Sequence, residues 1–260
     1  SNLEEAFSKI PEEFAYLFVG QWTHSNGLYT DRKDIGNLIR TFCNAFKNHK
    51  GPKPCLILKT NGVNFSQEDK YSCLHKITAI RNEVGGDIPN VYLLHGELTD
   101  KQMNCLYNHP KVKVHVSFTH GEGYGHPLLL ASLSGKPLAV SNWSGHLDFL
   151  NPKYTNLLEG TLNNIPEQSA NQWLIKESRW FTVAYNLAED KLRQMYFHYN
   201  DALKERAEKL RLENIEKFSL QAMDAEFHKL LDKYVPEFSV EQKIVLPSIK
   251  KISLPKKKAV

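Results

Sequence analysis

The chain has little cysteine. Its four thiols, Cys43, Cys55, Cys73 and Cys105, are scattered and include no C-x-x-C pair. That spacing disfavours a zinc site and a disulfide framework, and it suits a reducing, cytoplasmic compartment. The sequence has no apolar run near the roughly 20 residues that a membrane span needs. The polar, acidic start Ser-Asn-Leu-Glu-Glu-Ala lacks the pattern of a signal peptide. The histidines show no metal-ligand spacing, no D-x-D motif occurs, and no repeat is visible before the C-terminal tail. We therefore expect no metal and no cofactor.

The chain also lacks an extended basic surface. The formal charge is +4 over 260 residues, but the segment from Val240 onward carries six lysines against one glutamate, so the remaining residues sum to −1. A nearly neutral body does not resemble the basic face of a nucleic-acid binder. The tail KIVLPSIKKISLPKKK is a solvated arm, or a docking arm for another domain, an anionic surface or a nucleic acid.

What is present is alternation. Short apolar runs at Phe14–Val19, Cys55–Leu58, Val91–Leu94, Val112–Phe118 and Leu138–Val140 read as buried strands, with Thr155–Glu159 as a last one. Helical patterns fall between them: one with apolar residues at Ile35, Leu38, Ile39, Phe42 and Phe46, one over 67–82, one capped by Thr99, one running to Ser134, and one at His146–Leu150. This order predicts an α/β, Rossmann-like parallel sheet with helices on both faces. After Gln168 the pattern turns helical, with Trp180–Val183 the one remaining strand candidate. The expected layout is a nucleotide-binding domain over 1–183, C-terminal helices packing on it over 184–235, and a basic tail over 236–260.

Ligands bind such sheets at the carboxyl ends of the strands. Three strand ends are unusual: Gly20-Gln21-Trp22 followed by Arg32-Lys33, Lys59-Thr60, and Thr119-His120-Gly121-Glu122-Gly123-Tyr124-Gly125-His126-Pro127. Three glycines at alternate positions permit a tight turn and close backbone approach. Pro127 suits the first turn of a helix, and a helix start offers free N–H groups to an anion. Glycine loops also occur for geometry alone, so a phosphate loop and a plain turn both remain. The loop is neither G-x-G-x-x-G nor a Walker sequence. Glu122 would repel phosphate but could accept from sugar hydroxyls. Arg32 and Lys33 are either phosphate ligands or solvated helix-start residues. Lys59 ends an apolar strand and should face a ligand or water. His126 is a contact or a polar cap. Trp22 and Tyr124 read as packing groups.

The stretch from Thr119 to Leu150, with GEGYGHP, GKPLAV and SGHLD, resembles the conserved segment of retaining group 1 glycosyltransferases of the GT-B fold. LFVGQW and DRKDIGNLIRTF resemble the first strand and phosphate-binding helix of that family's donor domain. The resemblance spans about residues 10–230, and the style of the chain is viral or phage-like. It implies transfer of a sugar from a nucleotide-diphosphate sugar with retention. Glu122 would contact donor hydroxyls, Lys33 the diphosphate, and Gly123, Tyr124 and Gly125 the sugar and phosphates. Gly20 would admit the phosphate. Three departures stand out. Leu130 replaces the second Glu of the family's Glu-x7-Glu motif. Gln21 stands where an Arg is common, with Arg32 able to restore that charge. The N-terminal acceptor domain is expected to lie outside these residues. A non-catalytic sugar- or partner-binding module on the same fold is the alternative.

Overall fold

The computed structural model describes residues 2–23, 27–170 and 174–236. The basic tail beyond Pro236 lies outside the described residues. The chain divides into two units, residues 1–219 and 220–260. The second contains one described helix, α8 (Leu220–Tyr234).

In the first unit, β1 (Ala15–Val19), β2 (Cys55–Lys59), β3 (Val91–Leu94), β4 (Val112–Ser117), β5 (Leu138–Ser141) and β6 (Asn156–Leu158) form one sheet in the order β3-β2-β1-β4-β5-β6. All five pairings are parallel. The central strands AYLFV and CLILK are apolar up to the terminal Lys59 because both faces are covered. Alternation then sorts the side chains. Tyr16 and Phe18 enter one core with Phe42, Ile77 and Leu192, while Ala15 and Leu17 enter the other with Leu128, Val140 and Leu210.

The helices are α1 (Asn2–Ser8), α2 (Ile35–Phe46), α3 (Gln67–Val84), α4 (Asp100–Asn108), α5 (His126–Ser132), α6 (Tyr185–Phe197) and α7 (Asp201–Phe218). Thr99 caps α4 in a full capping box with Gln102. Helix α2 packs on α3 and α6, and α5 on α7. Helices α6 and α7 lie within the first unit. Ala188, Leu192 and Met195 of α6 lie in the core under Tyr16, whose hydroxyl donates to the Leu192 carbonyl at 2.7 Å. Asn214 of α7 donates to Ser132 of α5 at 2.7 Å in a buried position.

Two local expectations change. The short helix expected at His146–Leu150 is a 3-10 turn over Gly145–Asp148. Trp180–Val183 is strand, but as part of β8 (Arg179–Val183), which pairs antiparallel with β7 (Gly160–Asn164) in a separate hairpin. The sequence GTLNN of β7 has no apolar run, so only its partner makes it a strand.

Candidate functional site

The strand order reverses between β1 and β4. In an open parallel sheet the crevice outside their carboxyl ends is where loops diverge and leave room for a ligand. Two of the three strand-end loops flagged in the sequence leave from these two strands; the third, at Lys59-Thr60, leaves from β2.

The first loop is built around buried acids. Asp31 accepts from the Ile35 N–H through Oδ2 at 3.3 Å, while its Oδ1 is buried without a hydrogen bond. Asp34 sits at φ +54° and accepts from Asn37 Nδ2 and from the Tyr185 hydroxyl, both at 2.7 Å. Burial first, then the neighbouring Asp34 charge, pushes the Asp31 carboxyl up to about 6. Burial likewise pushes Asp34 up to about 6, against the hydrogen bonds from Tyr185 and Asn37. This anchored corner sets Arg32 and Lys33 on the crevice side. A Cβ at Gly20 would lie 2.8 Å from Phe18 Cζ, while Lys33 Cε would be in ordinary contact at 3.7 Å.

The second loop is braced by His120. Its backbone N–H donates to the Arg32 carbonyl at 2.9 Å, and its Nδ1 donates to the Phe181 carbonyl at 2.6 Å. Its ring stacks on Trp180, with centroids 3.8 Å apart and planes 12° apart. Its Nε2 lies 3.6 Å from Asp34 Oδ1. Burial lowers the imidazole's affinity for a second proton. One residue thus ties the β1 loop, the β4 loop and the hairpin together.

Beyond His120 the loop turns outward. The Glu122 N–H donates to Ser144 Oγ at 2.7 Å, and the Gly145 N–H to the Glu122 carbonyl at 3.0 Å. Gly125 takes φ +87° at the entrance to α5, a conformation that favours glycine. Among the described residues, the N–H groups of Gly123, Tyr124, Gly125 and His126 donate to no protein acceptor. Helix α5 has only 7 residues and Pro127 in its first turn. The anion-binding capacity therefore resides in these loop amides more than in a helix dipole.

The loops meet through charge. Lys33 Nζ donates to Glu122 Oε1, and Arg32 donates to the Gly121 carbonyl with Glu122 Oε2 at 3.5 Å. The Lys33 and Glu122 side chains are 11% and 9% exposed. Burial pushes the Glu122 carboxyl up, but Lys33 and Arg32 outweigh it and hold the group below the usual carboxylate range. Burial lowers the Lys33 ammonium despite the opposing effect of Glu122. The carboxylate expected to meet sugar hydroxyls is held by the lysine expected to meet phosphate.

Other sequence-predicted residues are placed differently. Lys59 is buried at the end of β2 and donates to the Gly96 carbonyl at 2.6 Å, with its ammonium over the Phe65 ring. That directs it to the turn after β3 rather than to Glu122. The Gln21 amide donates to the Gly62 carbonyl at 2.8 Å, so it does not supply the charge of an arginine, whereas Arg32 is in the site. Trp22 is fully buried packing. Tyr124 is exposed and leans on Phe149 at 5.2 Å. His126 is exposed at the start of α5. Leu130 is partly buried against the second core. Among the described residues, no group of three His, Cys, Asp or Glu could hold a metal, and no helix is long and apolar enough to cross a membrane.

Sequence reasoning missed Asp34, Trp143, Ser144, Arg179 and Trp180. An Asp-x-x-Asp pair at a helix start was a usable signal for the first. The hairpin residues had none, because their place depends on a pairing distant in sequence. Gly145 has a steric role. A Cβ there would lie 2.0 Å from the Gly123 carbonyl oxygen. Gly145→Ala is expected to displace the glycine loop and lower stability by roughly 2–3 kcal/mol, which thermal melting checks.

No protein-family model and no curated protein matches the sequence. Solved structures do. The C-terminal domain of a group 1 glycosyltransferase, LpcC, from Francisella tularensis aligns with a TM-score of 0.51 and 13% identity, covering 82% of this chain and 89% of that one. The fold is that of a GT-B C-terminal domain. HepE from Anabaena, solved with UDP and glucose, aligns with a TM-score of 0.55 and 14% identity over 90% of this chain and 52% of its own. An α,α-trehalose-phosphate synthase from Burkholderia vietnamiensis gives a TM-score of 0.58 and 9% identity, over 90% of this chain and 46% of its own. Against these last two, the chain spans about half the length.

Proposed function

We propose that this chain is the donor-binding half of a glycosyltransferase, which moves a sugar from a nucleoside-diphosphate sugar to an acceptor hydroxyl with retention of configuration. The reading is carried by one juxtaposition at the β1/β4 switch point. Four consecutive unpartnered amides, from Gly123 to His126, lie beside a carboxylate and two cations.

The parts divide the labour. The amides and the Lys33 and Arg32 cations take the diphosphate and stabilise the charge that grows on it as the glycosidic bond breaks. Fixed donors of this kind can do the work of a divalent ion. Glu122 orients the sugar through its hydroxyls. The acceptor and the groups that approach the sugar from its other side belong to a domain outside these residues, and the whole enzyme works as two facing halves.

UDP titrated by calorimetry into this chain is expected to bind. Lys33→Ala is expected to weaken binding roughly 10–100-fold, the range for losing a charge-assisted hydrogen bond. Undetectable UDP and GDP binding by the unmodified chain would overturn the reading. The non-catalytic module is the second reading, favoured by Leu130, which packs into the core instead of offering a carboxylate to a ribose. Under that reading, joining this chain to an acceptor domain yields no transfer even though UDP binds.

A further inference from the structure

A cavity of about 400 Å³ opens between the glycine loop and the β7–β8 hairpin. Arg32, Glu122, Trp143, Ser144, Arg179 and Trp180 line it. Trp143 is the unusual member. It is 40% exposed, although its ring lies nearly parallel to that of buried Phe181, 9° apart with centroids at 6.3 Å. Its indole edge approaches the glycine loop, with Cδ1 3.9 Å from where a Gly121 Cβ would stand. Trp143 therefore brings a part-exposed aromatic side chain into the same cavity as a carboxylate and two guanidinium groups.

We propose that this cavity is a pyranose subsite in which Trp143 is the platform for the ring's C–H face and Arg179 reads a hydroxyl or carboxylate at its edge. Sugar rings present an apolar C–H face and a polar rim. The negative face of an indole suits the first, and charged side chains suit the second. Arg179 is exposed and spends one N–H on the Leu162 carbonyl at 2.7 Å, which aligns the guanidinium without using all of its donors. Trp180, stacked on His120, forms a rigid wall. Because Glu122 belongs both to this cavity and to the diphosphate site, the ring placed here is the glycosyl unit of the donor. The inference rests on the proposed donor site. It adds that the choice of sugar is made by the turn after β5 and by the hairpin.

The test compares UDP and GDP with UDP-glucose, UDP-galactose, UDP-N-acetylglucosamine and GDP-mannose on the unmodified chain, Trp143→Ala, Trp143→Phe and Arg179→Ala. Trp143→Ala is expected to weaken the best-bound nucleotide sugar at least tenfold and its parent diphosphate less than twofold. Trp143→Phe should retain most of the affinity, and Arg179→Ala should change the ranking of the sugars. Equal losses for sugar and diphosphate, or no loss for either, would overturn the subsite. If the unmodified chain binds no diphosphate, the donor reading fails, and methyl glycosides then test the subsite alone. Quenching of tryptophan fluorescence that disappears in Trp143→Ala would support it; unchanged fluorescence would overturn it. Unaltered melting temperatures identify the variants as folded.

Discussion

Glu122→Gln is expected to bind UDP or pyrophosphate about tenfold more tightly than the unmodified chain, while losing its preference among nucleotide sugars. The gain arises because the Glu122 carboxylate occupies the same cations that a diphosphate needs. Lys33 is bonded to it and Arg32 lies within 3.5 Å. Removing one negative charge near an incoming anion is worth about 2–3 kcal/mol at 6 Å with an effective dielectric constant near 20. Part of that is offset because the neutral amide still occupies the space. The same substitution breaks a mostly buried ion pair, which is expected to lower the stability of the free protein by on the order of 3 kcal/mol. Saturating UDP should therefore raise the melting temperature of Glu122→Gln more than that of the unmodified chain. Weaker UDP binding by Glu122→Gln, with the loop intact, would show that the carboxylate holds the cations in place instead of competing for them. In the expected case donor binding is an exchange: phosphate takes Lys33, and the freed carboxylate turns to the sugar.

Asp31→Asn is expected to stabilise the protein at pH 7 and leave it unchanged near pH 4. Asp31 and Asp34 both titrate near 6 in the folded chain, against a reference of 3.8. The folded state therefore holds these protons more tightly than the unfolded state does. Stability is full below about pH 4 and falls as pH rises through 6. Each carboxyl costs roughly 3 kcal/mol above that window, at about 1.36 kcal/mol per pKa unit. An amide at position 31 keeps an oxygen for the Ile35 N–H and removes the charge, for an expected gain of about 2–3 kcal/mol at pH 7. In a unit of this size that is on the order of 5–10 °C in melting temperature. Melting curves at pH 4, 5, 6 and 7 should show a flatter profile for the variant. Lower stability at pH 7 would mean that the charge itself, facing Lys76 and His120, holds the corner. These buried acids resemble strain retained at a site, since they fix the φ +54° turn that places Lys33.

Much of the fold was legible. Runs such as CLILK and AYLFV declare buried parallel strands because both faces of a central strand are apolar. Thr99 with Gln102 declares a helix start because their side chains satisfy free backbone donors. Gly125 declares a turn, because the φ of +87° there favours glycine. Other features were not legible. GTLNN becomes strand only beside β8, and the residues from Gly145 form a 3-10 turn because the Gly145 N–H is taken by Glu122.

Order along the chain was enough to establish an α/β sheet, the loops that leave its strand ends, and the residue types in them, because periodicity, capping and turn chemistry are local. Which cations stand beside Glu122 was decided by three-dimensional packing. Lys33 and Glu122 are 89 positions apart, and Lys59, equally promising as a residue type, is drawn to Gly96. The pairing of Glu122 with Lys33, the brace at His120 and the tryptophan-lined cavity all join segments distant in sequence. Their energies depend on burial and distance, and neither exists until the sheet has brought those segments together.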